Sequence, residues 1–178
     1  SGLALGAEVG FPNGDYGTGK GTAFGGRATL GFGPFGLGAL VTSYKPKGGS
    51  SATTVGGYGS LKVFGGPLIP FSATLQAGIE HGSPGSATVT HVPVGLGIAL
   101  KIPNPALAIK PWIAPRFDYL KVKGTQSQTN FGISGGVDFS LLGGLGFGVA
   151  YDRIWAGNGV NPSVFSAGAN YAIKIPGL

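Results

Sequence analysis

From Gly2 onward the chain alternates: Leu3, Leu5, Ala7, Val9 and Phe11 take every second position, with Gly2, Ala4, Gly6, Glu8 and Gly10 between them. A period of two sends successive side chains to opposite faces of a strand. The segment therefore reads as a strand with one large apolar face and one small or polar face. After a polar stretch at 13–20, Phe24, Ala28, Leu30 and Phe32 oppose Gly25, Arg27, Thr29 and Gly31. The rhythm returns in Phe71–Glu80, His91–Lys101, Leu107–Tyr119, Asn130–Leu141, Leu145–Asp152 and Phe165–Ile175. Two segments are less clean. Gly36–Lys45 fits either phase, and in Val55–Val63 only Leu61 and Val63 against Tyr58, Ser60 and Lys62 are informative.

Which face meets the solvent follows from the sparseness of charge. Only 10% of the residues are charged and 42% are hydrophobic, whereas a typical soluble domain is about a quarter charged. The face opposite the apolar side chains is mostly Gly, Ala, Ser and Thr, which suits a narrow shared interior better than a water-exposed surface. No apolar run reaches the roughly 18 residues that a transmembrane helix requires. A closed barrel is then the membrane solution left, because lipid demands that every backbone polar group be paired. A soluble β-sandwich or lipocalin-like barrel is the alternative. Gly 37 in 178 residues lacks the Gly-X-Y period of collagen, and the apolar content excludes disorder. The chain reads as one domain, 1–178.

The connections sort into two kinds. Short turns rich in Gly or Pro lie at 33–36, 65–67, 103–105 and 143–144; longer polar loops lie at 13–20, 45–54, 81–86, 121–129 and 157–163. The two kinds alternate, as short periplasmic turns and longer outer loops do in transmembrane barrels. Four turns and five loops predict an all-β, closed antiparallel up-and-down barrel of ten strands with both termini periplasmic. Eight strands would require one turn to be misread. Aromatic residues fall into two bands, Phe11, Phe24, Phe117, Tyr119, Phe131, Tyr151, Trp155 and Phe165 toward the loops, and Phe32, Phe35, Phe64, Phe71, Phe139 and Phe147 toward the turns. That is the distribution of interfacial girdles.

Across almost its whole length this pattern resembles the small bacterial outer-membrane barrels, the group around the OmpA membrane domain and its porin-like relatives. No single motif carries the resemblance. Phe165, Ala167, Ala169, Tyr171, Ile173 and Ile175 supply the alternating final strand of such proteins, but the ending Pro176-Gly177-Leu178 lacks their terminal aromatic. The resemblance implies a Gram-negative-type outer membrane, contact with outer-membrane lipid and insertion by the barrel-assembly machinery. It carries over no catalytic residue. The absence of Met, including at position 1, fits a mature chain after signal-peptide removal, and the absence of Cys excludes disulfides and a thiol metal site.

The functional candidates are the inward charged and polar residues: Glu8, Arg27, Lys62, Glu80, His91, Lys101, Lys110, Arg116, Asp118, Asp138, Asp152 and Lys174. Strand direction puts Glu8, Glu80, Asp118 and Asp152 in the outer half and Lys62, Lys101, Lys110 and Lys174 toward the turns. Arg27 is expected across the first hairpin near Glu8, Arg116 beside Asp118, and Gln76 opposite His91. Buried charges persist only when paired or wetted. The interior is therefore either a plug of salt bridges or a narrow wetted passage for small solutes or ions, acidic outside and basic inside. Surface binding or adhesion by the loops is the alternative function.

Enzyme signals are weak. Gly31-x-Gly33-x-x-Gly36 spans a hairpin turn and lacks the helix that a dinucleotide fingerprint needs. A lipid-modifying enzyme would require His81 or His91 to meet a serine and a carboxylate. No catalytic residue, cofactor or metal site is expected; Asn13 and Asp15 alone are too few ligands for a cation. The formal charge of +6 comes from singly scattered basic residues, with no nucleic-acid platform. Pro93, Pro111 and Pro115 sit within strands, where proline removes a ladder hydrogen bond. Pro93 and Pro115 are expected to lie nearly opposite each other, at a bulge or a pairing gap.

Overall fold

The computed structural model describes residues 2–15, 20–66, 68–83, 87–102, 104, 107–157 and 159–176. Ten strands follow in order: β1 (Gly2–Pro12), β2 (Gly21–Phe32), β3 (Phe35–Pro46), β4 (Ala52–Phe64), β5 (Phe71–Gly82), β6 (Val89–Leu100), β7 (Leu107–Val122), β8 (Gln128–Leu141), β9 (Leu145–Trp155) and β10 (Ser163–Lys174). Each pairs antiparallel with its neighbours in sequence, and β1 with β10 closes the ring. The ten-stranded expectation holds and the eight-stranded alternative falls, because every turn joins a pair of adjacent strands. Gly2 lies opposite Lys174 and Gly31, so the first and last strands begin and end on the side of the short turns.

The wall is inside out relative to a soluble barrel. Among the described residues no hydrophobic side chain is buried, while Phe24, Leu37, Ile79 and Phe117 are 56–62% exposed. A soluble barrel does not leave so large a continuous apolar surface to water. Aromatic contacts run along both rims of this outer face. Phe117, Phe131 and Trp155 adjoin at 5.8 and 5.7 Å between ring centres near the loops, and Phe139 stacks on Phe147 at 4.9 Å near the turns.

Register decides the strands that alternation left open. Leu30 faces outward and pairs with Leu37, so Leu37 and Val41 join the outer face while Leu40 and Tyr44 point inward. In β4, Val55 and Leu61 are outward and Tyr58, Ser60 and Lys62 inward. The register then shifts between Lys62 and Phe64, and both Val63 and Phe64 are exposed outside. A bulge inserts one unpaired residue and so flips the alternation.

The strand prolines produce pairing gaps and no bulge. Ladder pairs are missing between β6 and β7 from Leu96–Gly97 to Ala114–Pro115, while the register is the same on either side, Gly95 with Arg116 and Ile98 with Ile113. A second gap lies between β5 and β6, at Gly78–Ile79 against Val92–Pro93. Pro93 is opposite Asp118, so the two prolines are offset along the seam and do not face each other. Each ring nitrogen lacks the donor that its place in the ladder calls for. By contrast, β7 pairs with β8 without interruption from Leu107 to Leu120, and Pro111 is accommodated opposite Val137.

The closing seam is tied at its loop end. The Asn13 backbone N–H donates to the Ser163 carbonyl at 2.8 Å, and its side-chain oxygen accepts from the Ser163 N–H at 3.1 Å. Asn13 Nδ2 donates to the Asn161 carbonyl at 3.1 Å, and Asp15 accepts from the Asn161 N–H at 3.2 Å. These two residues, weighed in sequence as cation ligands, here bind one loop to another.

Candidate functional site: the charged interior

Period-two alternation turns all the candidate charges into one lumen, but β-register decides which of them touch. On one side a chain of contacts crosses five strands. His91 of β6 lies beside Glu80 of β5 through Nδ1 at 3.3 Å and Asp118 of β7 through Nε2 at 2.7 Å. Arg116 Nε donates to the same Asp118 oxygen at 2.9 Å. The other two guanidinium nitrogens reach Asp152 of β9 at 2.5 and 3.0 Å, and Ser134 of β8 donates to Asp152 at 2.5 Å. A bidentate arginine–carboxylate pair is among the stronger charge-assisted contacts. Asp118 is the most buried side chain of the set, at 2% exposure.

The expectation that Gln76 faces His91 is corrected: Gln76 pairs with Gly95, and Glu80 is the residue opposite His91. The shift follows from where the β5–β6 loop starts the ladder. Both ring nitrogens of His91 are taken by carboxylates, and His81 lies 3.3 Å from Thr90 Oγ1.

Glycine makes the crossing possible. A methyl group added at Gly132 would lie 2.6 Å from Asp118 Oδ2 and 3.2 Å from Arg116 Cζ, so both side chains rest on the bare backbone of β8. The same device recurs on the other wall, where the Tyr58 ring lies across Gly38 of β3 and its hydroxyl meets Thr29 of β2. The small inward residues that the sequence shows are thus the floor on which the long ones lie.

The remaining candidates are placed differently. Lys110 pairs with Asp138 across the β7–β8 ladder, with Nζ 3.3 Å from the carboxylate. Glu8 and Arg27 are diagonal neighbours in the first hairpin, since Glu8 is opposite Gly25 and Gly6 opposite Arg27. They form no ion pair among the described residues, and both are exposed within the lumen. Lys62, Lys101 and Lys174 lie inward at the short-turn end, exposed and likewise without an ion pair among the described residues. The ion-paired side chains of the interior therefore gather on β5–β9, whereas the charged candidates on β1–β4, Glu8, Arg27 and Lys62, are exposed and form no ion pair among the described residues.

Two participants escaped the reading by pattern. Ser134 stands on the inward face but becomes part of the network only through its register opposite Asp152. Arg153, one place beyond the clean alternation of β9, turns outward and lies over Trp155 at 5.4 Å. Continuing the odd-numbered outward phase past Tyr151 would have found it.

No protein-family model and no curated protein sequence matches the chain. Among solved structures, the β domain of the Bordetella autotransporter Brka superposes with a TM-score of 0.67 at 16% identity, over 97% of this chain and 99% of that one. The KdgM porin, solved in complex with disordered oligogalacturonate, superposes with a TM-score of 0.55 at 12% identity, over 96% and 99%. At these identities the likeness is one of architecture, and the fold of this chain is that of the bacterial outer-membrane β-barrels.

Proposed function

We propose that this protein is an outer-membrane barrel that passes small solutes and ions along a narrow water-filled route, with a preference for anions. The observation that carries the proposal is the pair Glu8 and Arg27: both lie on the inward face, form no ion pair among the described residues, and remain exposed. An unpaired charge inside a barrel is sustainable where water reaches it. The network on β5–β9 narrows the bore without consuming those two groups. Lys62, Lys101 and Lys174 give the short-turn mouth a positive potential, which raises the local concentration of anions. In this reading the partners are the lipid around the wall, the assembly machinery during insertion, and the permeating solutes.

Planar-bilayer conductance of the refolded protein tests the proposal, with the reversal potential read across a salt gradient. Discrete steps with a reversal potential toward that of the anion are expected. Insertion without steps would identify a plugged barrel and move the working surface to the loops. Failure to insert would sink the membrane reading itself.

A further inference from the structure

The formal charge of +6 is unevenly spread. Arg27, Lys62, Lys101, Lys110, Arg116 and Lys174 lie in the lumen with all the carboxylates except Asp15, so that region is nearly balanced. Lys20, Lys45, Lys47, Lys121, Lys123 and Arg153 lie at the loop end with Asp15 alone, and Asp15 is engaged by the Asn161 N–H. Most of the excess charge therefore sits on one rim. None of these six basic residues makes an ion pair among the described residues.

Their position is as specific as their sign. Lys45, Lys121 and Arg153 have the parity of the outward faces of β3, β7 and β9, beyond or among the loop-side aromatic side chains. Lys121 follows Tyr119 on that face, and Arg153 lies between Tyr151 and Trp155 with its guanidinium carbon 5.4 Å from the Trp155 ring centre. Its Nε is buried without a hydrogen-bond partner. Lys20 and Lys47 are joined by a backbone hydrogen bond of 2.9 Å, which sets a second basic group on the β2–β3 side. At the opposite rim the turns carry Leu68 and Leu142, 97% and 83% exposed, while the lysines there, Lys62, Lys101 and Lys174, lie inward. Aromatic residues mark the depth of the membrane interface, and basic residues just beyond them lie at headgroup level.

We infer that this rim is a binding collar for phosphate-bearing lipid headgroups of the outer leaflet, with Arg153, Lys121 and Lys123 on one side of the barrel and Lys20, Lys45 and Lys47 on the other. A phosphate monoester offers the oxygen geometry that a guanidinium fork accepts, and neighbouring lysines add charge. The collar rests on the membrane placement but is independent of whether the lumen conducts.

The test uses the whole barrel refolded into vesicles of phosphatidylcholine containing a minor fraction of phosphatidic acid, and counts co-purifying lipid by native mass spectrometry. Selective retention of phosphatidic acid, weakening as salt rises, is expected. The variant Arg153→Gln/Lys121→Gln/Lys123→Gln should lose about fivefold in retention per neutralised charge, while Lys62→Gln/Lys174→Gln in the lumen leaves retention unchanged. Retention equal for both lipids in the unaltered protein would overturn the collar without recourse to any variant. So would equal competition by a soluble phosphate polymer, which would mark the rim as a site for a free polyanion. Conductance recorded on the same preparation keeps failure of the passage separate from failure of the collar.

Discussion

Arg116 on β7 reaches across β8 to hold Asp152 on β9 through two nitrogens, at 2.5 and 3.0 Å, while its Nε stays on Asp118 two residues away on its own strand. One guanidinium thus neutralises carboxylates on both sides of an intervening strand. The barrel wall is stapled from within as well as along its ladders.

Removing that staple strands charge. Arg116→Leu leaves Asp152 without its cation and Asp118 with His91 alone, and breaking a buried pair in this way costs about 3–5 kcal/mol. The double variant Arg116→Leu/Asp152→Leu removes the stranded carboxylate and should recover part of the loss. Urea unfolding of the refolded barrel, followed by the fluorescence of Trp112 and Trp155, measures both. Equal stability of the Arg116→Leu variant and the unaltered protein would contradict the structural role given to the network.

Alternation made much of this legible. It assigned the inward face of β1, β2 and β5–β10, and the turn-and-loop rhythm gave the strand number. It did not give contacts. A period of two says which face a residue occupies, whereas the stagger between strands says whom it meets, and stagger is set by loop length and by closure of the ring. Glu80 in place of Gln76 beside His91, and Asp152 as the partner of Arg116, both belong to that second kind of information. The phase of β3 required Leu30 on the neighbouring strand to decide it, and the β4 bulge at Val63 left no sign in a segment so rich in glycine. For Glu8 and Arg27 alternation assigns one face to both, but it does not say whether either meets an ionic partner, and none is formed among the described residues.

A second consequence concerns Gly38. A side chain there would occupy the space of the Tyr58 ring, so Gly38→Ala should destabilise the barrel by about 1–3 kcal/mol through overpacking. In a Tyr58→Ala background the same substitution should cost close to nothing. A double-mutant cycle by urea unfolding checks this, and a cost that is independent of Tyr58 would show that the ring is not what Gly38 accommodates.

Charge at the turn-side mouth should set ion preference. Lys62→Glu/Lys101→Glu/Lys174→Glu turns three inward cations into anions, and the reversal potential across a salt gradient should change sign from anion-preferring to cation-preferring. Unchanged selectivity in a variant that still conducts would place the filter elsewhere.

The gaps beside Pro93 and Pro115 predict uneven protection. Amides of Gly78, Ile79, Leu96 and Gly97 should exchange roughly tenfold or more faster than those of Ile133–Val137, whose ladder to β7 is uninterrupted. Hydrogen exchange of the refolded barrel read by mass spectrometry resolves the two regions. Uniform protection across them would mean that the prolines leave the seams intact.

The glycines beneath the long inward side chains bear on clearance as well as on packing. A methyl group at Gly25 would lie 2.9 Å from Glu8 Cγ, one at Gly6 would lie 3.1 Å from Arg27 Nε, and one at Gly56 would lie 2.8 Å from Glu80 Cγ. Each glycine is a recess into which a neighbour's side chain is laid flat along the circumference. Strand number fixes the radius of the wall, so the free cross-section depends on which side chains recline and which stand toward the axis. Filling recesses one at a time would raise those side chains stepwise, making the diameter of the lumen adjustable without altering a single charge.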